Sequence, residues 1–432
     1  MCWRHPRAYN HRRMAGRRLL VCGPAFPRQA VDGLQDVVRD LIAGLRARDW
    51  QIDSLLWPED FGDGQRPSLE IPDDWSATMG RASRVMRIPD RLRLAARTTL
   101  RDRALAPHAS RLLTTVDRRI ADGRYDAVLA LLDTAPIGLA SLVTRAHPRA
   151  ILISLPALGR ELRGRRALEA VRHRWLRLHD RRWHPDLFRP VHPARIRHVV
   201  FASDSWRDEA IAAGLPPAAA RTSEFGVDCP RRLEPCTPSR SPARLLWAAR
   251  LSPEKGLHVF LPAVARLRPA LPVQLTVVAG PGPASYRTRI ERLVRTLELE
   301  DAVRFQGPVD RSGLRAVLTS HDAFLFASVF HAPVAQMLLH AFAHGLVVVG
   351  PASRDPRSVL QADRTAFCFS DSSPAQVATA IRRAVVEVDL RGAVRARAFE
   401  LTRDTSSLDS TIASYDALLT SLTSEASNQA RP

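Results

Sequence analysis

Short apolar runs alternate with stretches of helical spacing, and this alternation limits the fold more than any other feature of the 432-residue chain. Residues 18–23 (RLLVCG) predict a first buried strand. A loop of turn formers follows over 24–33, and 34–48 puts Leu34, Val37, Val38, Leu41, Ile42 and Leu45 on one helical face. Residues 50–57 predict a second strand. Strand, loop, helix and strand within about 40 residues make a βαβ unit, and such units repeat into a parallel sheet. Runs at 125–132, 150–155 and 198–203 extend that sheet, and a helix over 204–213 ends at Gly214. The stretch 58–122 reads only as a polar loop and an arginine-rich helical pattern. A second series of strands is expected at 245–249, 273–279, 303–307, 323–327, 346–350 and 366–369. Helices are expected near 257–267, 286–297, 311–319 and 335–343, from 374, and over 406–423. The chain is too long for one core. The expected fold class is therefore α/β, two Rossmann-like doubly wound domains.

The boundaries follow from composition. Residues 1–16 are a basic arm expected to be disordered, and Met14 is an alternative start to Met1. A first domain is expected over 17–228. Residues 229–242 hold four prolines and no periodicity, which reads as a linker. A second domain covers 243–404, a final helix 405–423, and a frayed tail 424–432. No internal sequence repeat is visible beyond the two sheet patterns.

Chemistry concentrates at residues 244–256, RLLWAARLSPEKG. An apolar run ends at Arg250, turn and helix-start residues follow at Ser252, Pro253 and Glu254, and helical spacing begins at Leu257. Arg250 and Lys255 thus fall between the carboxyl end of a strand and the amino end of a helix, where open α/β sheets bind anions. Lys255 is the one lysine among 64 basic residues. The plain alternative is that a lone lysine must stand somewhere. A compact ammonium kept at this point still fits a phosphate contact.

Net charge is +20, which implies an anionic partner: nucleic acid, an acidic membrane leaflet or a phosphorylated substrate. Residues 160–198 hold twelve arginines against four acids, interleaved with Trp175, Leu176, Leu178 and Trp183. That segment reads as an amphipathic surface for an anionic membrane, as a nucleic-acid contact, or as a solvated face in an arginine-biased chain. Charge alone supports no specific nucleic acid. Five scattered cysteines form no disulfide framework and suit a reducing cytoplasm. No run of about 18 apolar residues suggests a membrane span. No carboxylate or histidine cluster has metal-ligand spacing.

The order strand, Arg-Leu-Ser-Pro-Glu-Lys-Gly, helix, then a strand ending at Val278-Ala279-Gly280 resembles the nucleotide-sugar domain of retaining GT-B glycosyltransferases, family four. The resemblance runs from Arg17 to about Leu422. It implies a retaining, metal-independent hexosyltransferase-type enzyme with a C-terminal helix crossing back to the first domain. It implies no cofactor and a nucleotide-sugar donor as substrate; the scattered cysteines and the basic segment add the expectation of a cytoplasmic protein, peripheral on the inner face of the membrane. Arg250 and Lys255 would neutralise the donor diphosphate. Gly280, Gly282, Gly307 and Ser328 match the family's donor-side positions, and Asp32-Gly33 stands in its acceptor-side loop. The basic first domain suggests a lipid-linked or anionic acceptor, as in cell-surface polysaccharide, glycolipid or natural-product glycosylation.

The chain also departs from the pattern. Residues 328–345, SVFHAPVAQMLLHAFAHG, keep the family frame through Ser328, Pro333, Leu339, Ala341, Ala343 and Gly345. The two glutamates of the frame are Ala332 and His340. His340 is left to touch the ribose or to pack. The later Gly-Gly becomes Ser353-Arg354, which offers Arg354 as a diphosphate contact in place of backbone N–H groups. The other function is therefore an inactive GT-B relative that binds nucleotide and serves as a scaffold or partner subunit.

Overall fold

In the computed structural model, strand β1 (Arg17–Cys22) has Leu19, Leu20, Val21 and Cys22 fully buried. That continuous apolar run is what a parallel strand covered on both faces requires. The structure describes residues 17–22, 33–55, 114–115, 117–122, 125–131, 149–154, 196–235, 241–309, 311–328, 336–353 and 358–429. Helix α1 (Gly33–Arg46) and strands β2 (Trp50–Leu55), β3 (Ala127–Leu131), β4 (Ala150–Ser154) and β5 (His198–Phe201) follow. Helix α2 (Asp204–Ala212) and edge strand β6 (Ala220–Thr222) complete the first unit. All pairings in this sheet are parallel, in the order β2-β1-β3-β4-β5-β6.

The second sheet starts with β7 (Ala243–Arg250), α3 (Leu257–Leu267), β8 (Val273–Gly280), α4 (Ala284–Thr296) and β9 (Val303–Gln306). It continues with α5 (Arg311–Thr319), β10 (Ala323–Leu325), α6 (Gln336–Ala343), β11 (Val347–Pro351), β12 (Phe367–Phe369) and α7 (Pro374–Val386). The order is β12-β11-β10-β7-β8-β9, again all parallel. The chain winds outward from β7 through β9, returns past β7 to β10, and winds outward the other way. The switch point therefore lies between β7 and β10. In the first sheet it lies between β1 and β3.

The two switch points are built alike. Asp126 accepts the Arg18 N–H at 2.8 Å, and Asp322 accepts the Arg244 N–H at 2.8 Å. Each aspartate precedes an alanine that starts the neighbouring strand, with Leu19 opposite Ala127 and Leu245 opposite Ala323. Arg-Leu-Leu against Asp-Ala is thus a structural repeat that sequence inspection passed over, because its halves are far apart in the chain. Asp322 also faces Arg391 at 3.6 Å, with side chains 3% and 6% exposed.

Helix α8 (Val388–Thr405) was not expected. Its buried face includes Arg391 and Thr402 beside Val394, Ala398 and Phe399, so counting apolar residues does not reveal its period. Helix α9 (Leu408–Gln429) runs through most of the expected tail 424–432, since each added residue of a helix adds a hydrogen bond. Its Ile412, Tyr415, Leu418, Leu419 and Leu422 share the first sheet's core with Val38, Leu41 and Leu45 of α1. Asp416 fixes the seating, accepting from the Trp50 indole at 2.8 Å with Arg48 at 3.4 Å. Strand 303–307 stops at Gln306 and leaves Gly307 in the following loop.

The second domain's exit meets the first domain's exit at one place. The Val227 N–H bonds to the Ser406 carbonyl at 2.9 Å and the Leu408 N–H to the Val227 carbonyl at 2.8 Å. Thr411 Oγ1 accepts the Gly226 N–H and donates to the Glu224 carbonyl, both at 2.8 Å. Ser406 donates to the Glu224 carboxylate at 2.5 Å. Burial pushes the Glu224 carboxyl up; the Ser406 hydroxyl pulls it down and Asp204 adds to the rise. As pH climbs past the ordinary glutamate value the unfolded chain ionises first, so this group's contribution to stability falls until the folded carboxyl has ionised too. Glu224→Gln keeps an acceptor for Ser406 and removes the charge. Its thermal midpoint at pH 7 should rise by about 2 °C, with no gain at pH 4. A scan of melting against pH for both proteins checks this.

Candidate functional site

The Arg250–Gly256 loop leaves the carboxyl end of β7 at the switch point. Trp247, 1% exposed, donates its indole N–H to the Lys255 carbonyl at 3.2 Å and so anchors the loop from below. Pro253–Lys255 forms one 3-10 turn, capped by Gly256 at φ 72°. That left-handed conformation suits glycine, and a Cβ there would lie 2.4 Å from the Ala327 carbonyl oxygen. Gly256 therefore presses the loop against the end of β10, beside Ser328.

The β8 side closes the same corner. Arg250 stands opposite Gly280 in parallel register, and the Leu251 N–H bonds to the Gly280 carbonyl at 3.2 Å. A Cβ on Gly282 would lie 1.8 Å from the Leu251 carbonyl oxygen. The sequence suggests that Gly282 is needed for close approach to a ligand; the structure shows close approach to the Leu251 backbone.

Arg250, Lys255, Gly280, Gly282 and Ser328 are thus brought to one end of β7, β8 and β10. Gly307 stands apart: β9 is two strands from β7, about 10 Å away, and nothing lies within 4 Å of where its Cβ would be. His340 is half-buried on α6, which packs on β11. Gly33 is the first residue of α1. Asp32, Ala332 and Arg354 lie outside the described residues, as does most of the basic segment 160–198.

Glu254 is the residue that sequence reasoning overlooked. Its carboxylate lies 3.5 Å from the Arg250 guanidinium and accepts from Ser252 Oγ at 2.5 Å. Burial pushes it up, but the Ser252 hydroxyl, a backbone hydrogen bond and the charges of Arg250 and Lys255 outweigh that and hold it below the ordinary range. One anion thus pairs with Arg250 and feels the charge of Lys255. Arg250 is 57% exposed at its side chain while paired with Glu254, and the loop carrying Lys255 is pinned by Trp247. Ser328 Oγ is buried and has no hydrogen-bond partner among the described residues. The corner therefore offers two cations, an unmet hydroxyl and the amino end of α3, which together suit a phosphorylated ligand. Among the described residues there is no group of three metal-ligating side chains, and no helix is long and apolar enough to cross a membrane.

Parts of the chain are similar to known proteins. Residues 242–386 match the family Glycosyl transferases group 1. The chain is 29% identical over 178 residues to WcaL of Escherichia coli strain K12, named as a colanic acid biosynthesis glycosyltransferase. That alignment covers 39% of this chain and 43% of WcaL, so the match spans less than half of the relative. Among solved structures, Anabaena HepE in complex with UDP-glucose superposes with a TM-score of 0.60 at 14% identity, covering 94% of this chain and 99% of that one. A glycosyltransferase from Rickettsia africae gives 0.66 at 12% identity, covering 94% and 99%. At such identities the superpositions speak for the fold. Residues 242–386 are therefore similar to glycosyl transferases group 1, and the two sheets have the GT-B fold.

Proposed function

We propose that this protein transfers a sugar from a nucleotide-diphosphate donor to an acceptor, with retention of anomeric configuration. The observation that carries the reading is the placement of Arg250 and Lys255 together at the β7–β10 switch point, on a loop fixed by Trp247, Gly256 and Gly282. Cleaving a sugar–phosphate bond leaves negative charge on the departing diphosphate. Fixed positive charge at that point lowers the barrier because it need not reorganise as the charge develops. On this reading Arg250 leaves Glu254 for the diphosphate, Lys255 supplies the compact charge that a divalent cation supplies elsewhere, and Ser328 donates to a phosphoryl oxygen. Arg354 adds a second guanidinium and His340 meets the ribose. The acceptor lies against the segment after β1, at Asp32 and at Gly33 where α1 begins. The +20 charge favours an anionic or lipid-linked acceptor and a peripheral place on an acidic membrane face. HepE was solved with UDP-glucose, which makes that donor the first to try.

The test is a panel of nucleotide sugars, scored for binding, donor hydrolysis and transfer to lipid-linked and soluble acceptors. Turnover with one donor supports the enzyme. Nucleotide binding without any hydrolysis or transfer would instead favour the inactive relative, in which Ala332 and His340 have cost the chemistry while the diphosphate grip persists.

A further inference from the structure

Beside the diphosphate corner lies a pairing that the sequence did not suggest. His258 is the second residue of α3, three positions after Lys255. Tyr286 is in the first turn of α4, four positions after Gly282. The Tyr286 hydroxyl lies 2.9 Å from His258 Nδ1 and 3.4 Å from the His258 backbone nitrogen. The rings meet edge to face, with centroids 6.0 Å apart and planes at 89°. Tyr286 is 3% exposed and packed in the core of the second sheet, so its hydroxyl has one fixed position.

The backbone N–H can only donate, so the Tyr286 oxygen accepts there. We assign the hydroxyl's own proton to Nδ1, with which a neutral His258 carries its proton on Nε2. Burial and the nearby Arg289 hold the imidazole below its ordinary value, which keeps it neutral at pH 7.

We propose that His258 and Tyr286 are positioning residues for the nucleotide diphosphate. Their hydrogen bond ties the start of α3, which carries the Lys255 loop, to the start of α4, which carries the Gly280–Gly282 loop. This rests on the function proposed above. The two loops hold opposite sides of the corner, and Leu251 joins them at the strand end through Gly280 and Gly282. The His258–Tyr286 bond joins them a second time, about one helical turn farther on. Two attachments fix a separation and an angle, where a single one fixes only a point of contact. Two linked phosphoryl groups need both.

The experiment measures UDP binding, with ADP and GDP in parallel, to the wild type, Tyr286→Phe, His258→Ala, their double mutant and His258→Asn. Lys255→Ala is the control. Tyr286→Phe keeps the buried ring and should raise the nucleotide Kd about fivefold, the loss of one ordinary hydrogen bond. His258→Ala removes the Nδ1 bond and leaves the long backbone contact, so it should raise the Kd by no more than this, and the double mutant should be no worse than Tyr286→Phe, because the Nδ1 bond is lost in both single variants. In His258→Asn the amide oxygen replaces Nδ1 as acceptor, and the Kd should return to within about twofold of wild type. Donor KM should rise while kcat stays level, a split that a general loss of folding would not give. The inference is overturned if Lys255→Ala abolishes binding but Tyr286→Phe and His258→Ala bind as wild type, or if their effects simply add. If wild type binds no nucleotide at all, the functional reading fails and the inference with it.

Discussion

A Lys255→Ala protein should transfer sugar about 100- to 1,000-fold more slowly than wild type, the usual cost of removing one group that meets charge in the transition state. Its thermal midpoint should stay unchanged. The two expectations separate because the backbone and side chain of Lys255 do different jobs. The carbonyl accepts from Trp247 and holds the loop down, and alanine retains it. The ammonium is what alanine removes. Arg250→Ala should cost less, since that guanidinium is 57% exposed and is paired with Glu254. The double mutant should fall short of the product of the two, because both cations would meet the same ligand. Steady-state kcat/KM for each variant, with melting curves alongside, checks all three. A Lys255→Ala protein as active as wild type would place the reacting phosphate elsewhere.

Gly226→Ala should be the most destabilising small substitution in the domain crossing. A Cβ at Gly226 would lie 2.1 Å from the Ser407 carbonyl oxygen, 2.2 Å from its carbon and 2.7 Å from the Leu408 nitrogen. All three are backbone atoms at the junction of α8 and the start of α9, so no side chain can swing aside. Relief requires prising the start of α9 from the 223–228 segment, which strains the Val227–Ser406, Leu408–Val227 and Gly226–Thr411 hydrogen bonds together. The expected loss is about 3 kcal/mol, at the upper end of overpacking costs. Gly214→Ala is the matched comparison. Gly214 has φ 102°, but nothing lies within 4 Å of where its Cβ would be, so the cost there is backbone strain alone, about 1 kcal/mol. Melting curves of both variants should therefore separate clearly. Equal midpoints would show that the α8–α9 junction yields easily and that the crossing is not a tight joint.

Much of the fold was legible because buried parallel strands advertise themselves. Leu19 to Cys22 and Val347 to Val349 are unbroken apolar runs, and α3 shows Leu257, Phe260, Leu261 and Val264 at helical spacing. Elements whose buried face is partly polar were not legible: α8 hides Arg391 and Thr402, and β6 is three residues at a sheet edge. At the site, Arg250 and Lys255 stood out by their position after an apolar run. Glu254, Trp247, His258 and Tyr286 did not. Glu254 looks like a helix-start acid and Trp247 like an ordinary core residue until their partners are seen. The bond between His258 and Tyr286 spans 28 positions that no local pattern links.

The sequence by itself determined that the chain builds two parallel sheets and that a basic loop follows one buried strand, since both depend on local period and composition. Only the tertiary structure decided which strands are neighbours. The switch point at β7 and β10 exists because β10 pairs beside β7 rather than beside β9, a choice made by contacts such as Asp322 with Arg244, 78 residues apart. Tertiary structure likewise decided that α9 belongs to the first domain's core and that Gly282 serves Leu251. Period and propensity act within a few residues, while burial and hydrogen bonding are satisfied between whichever groups the packed chain brings together.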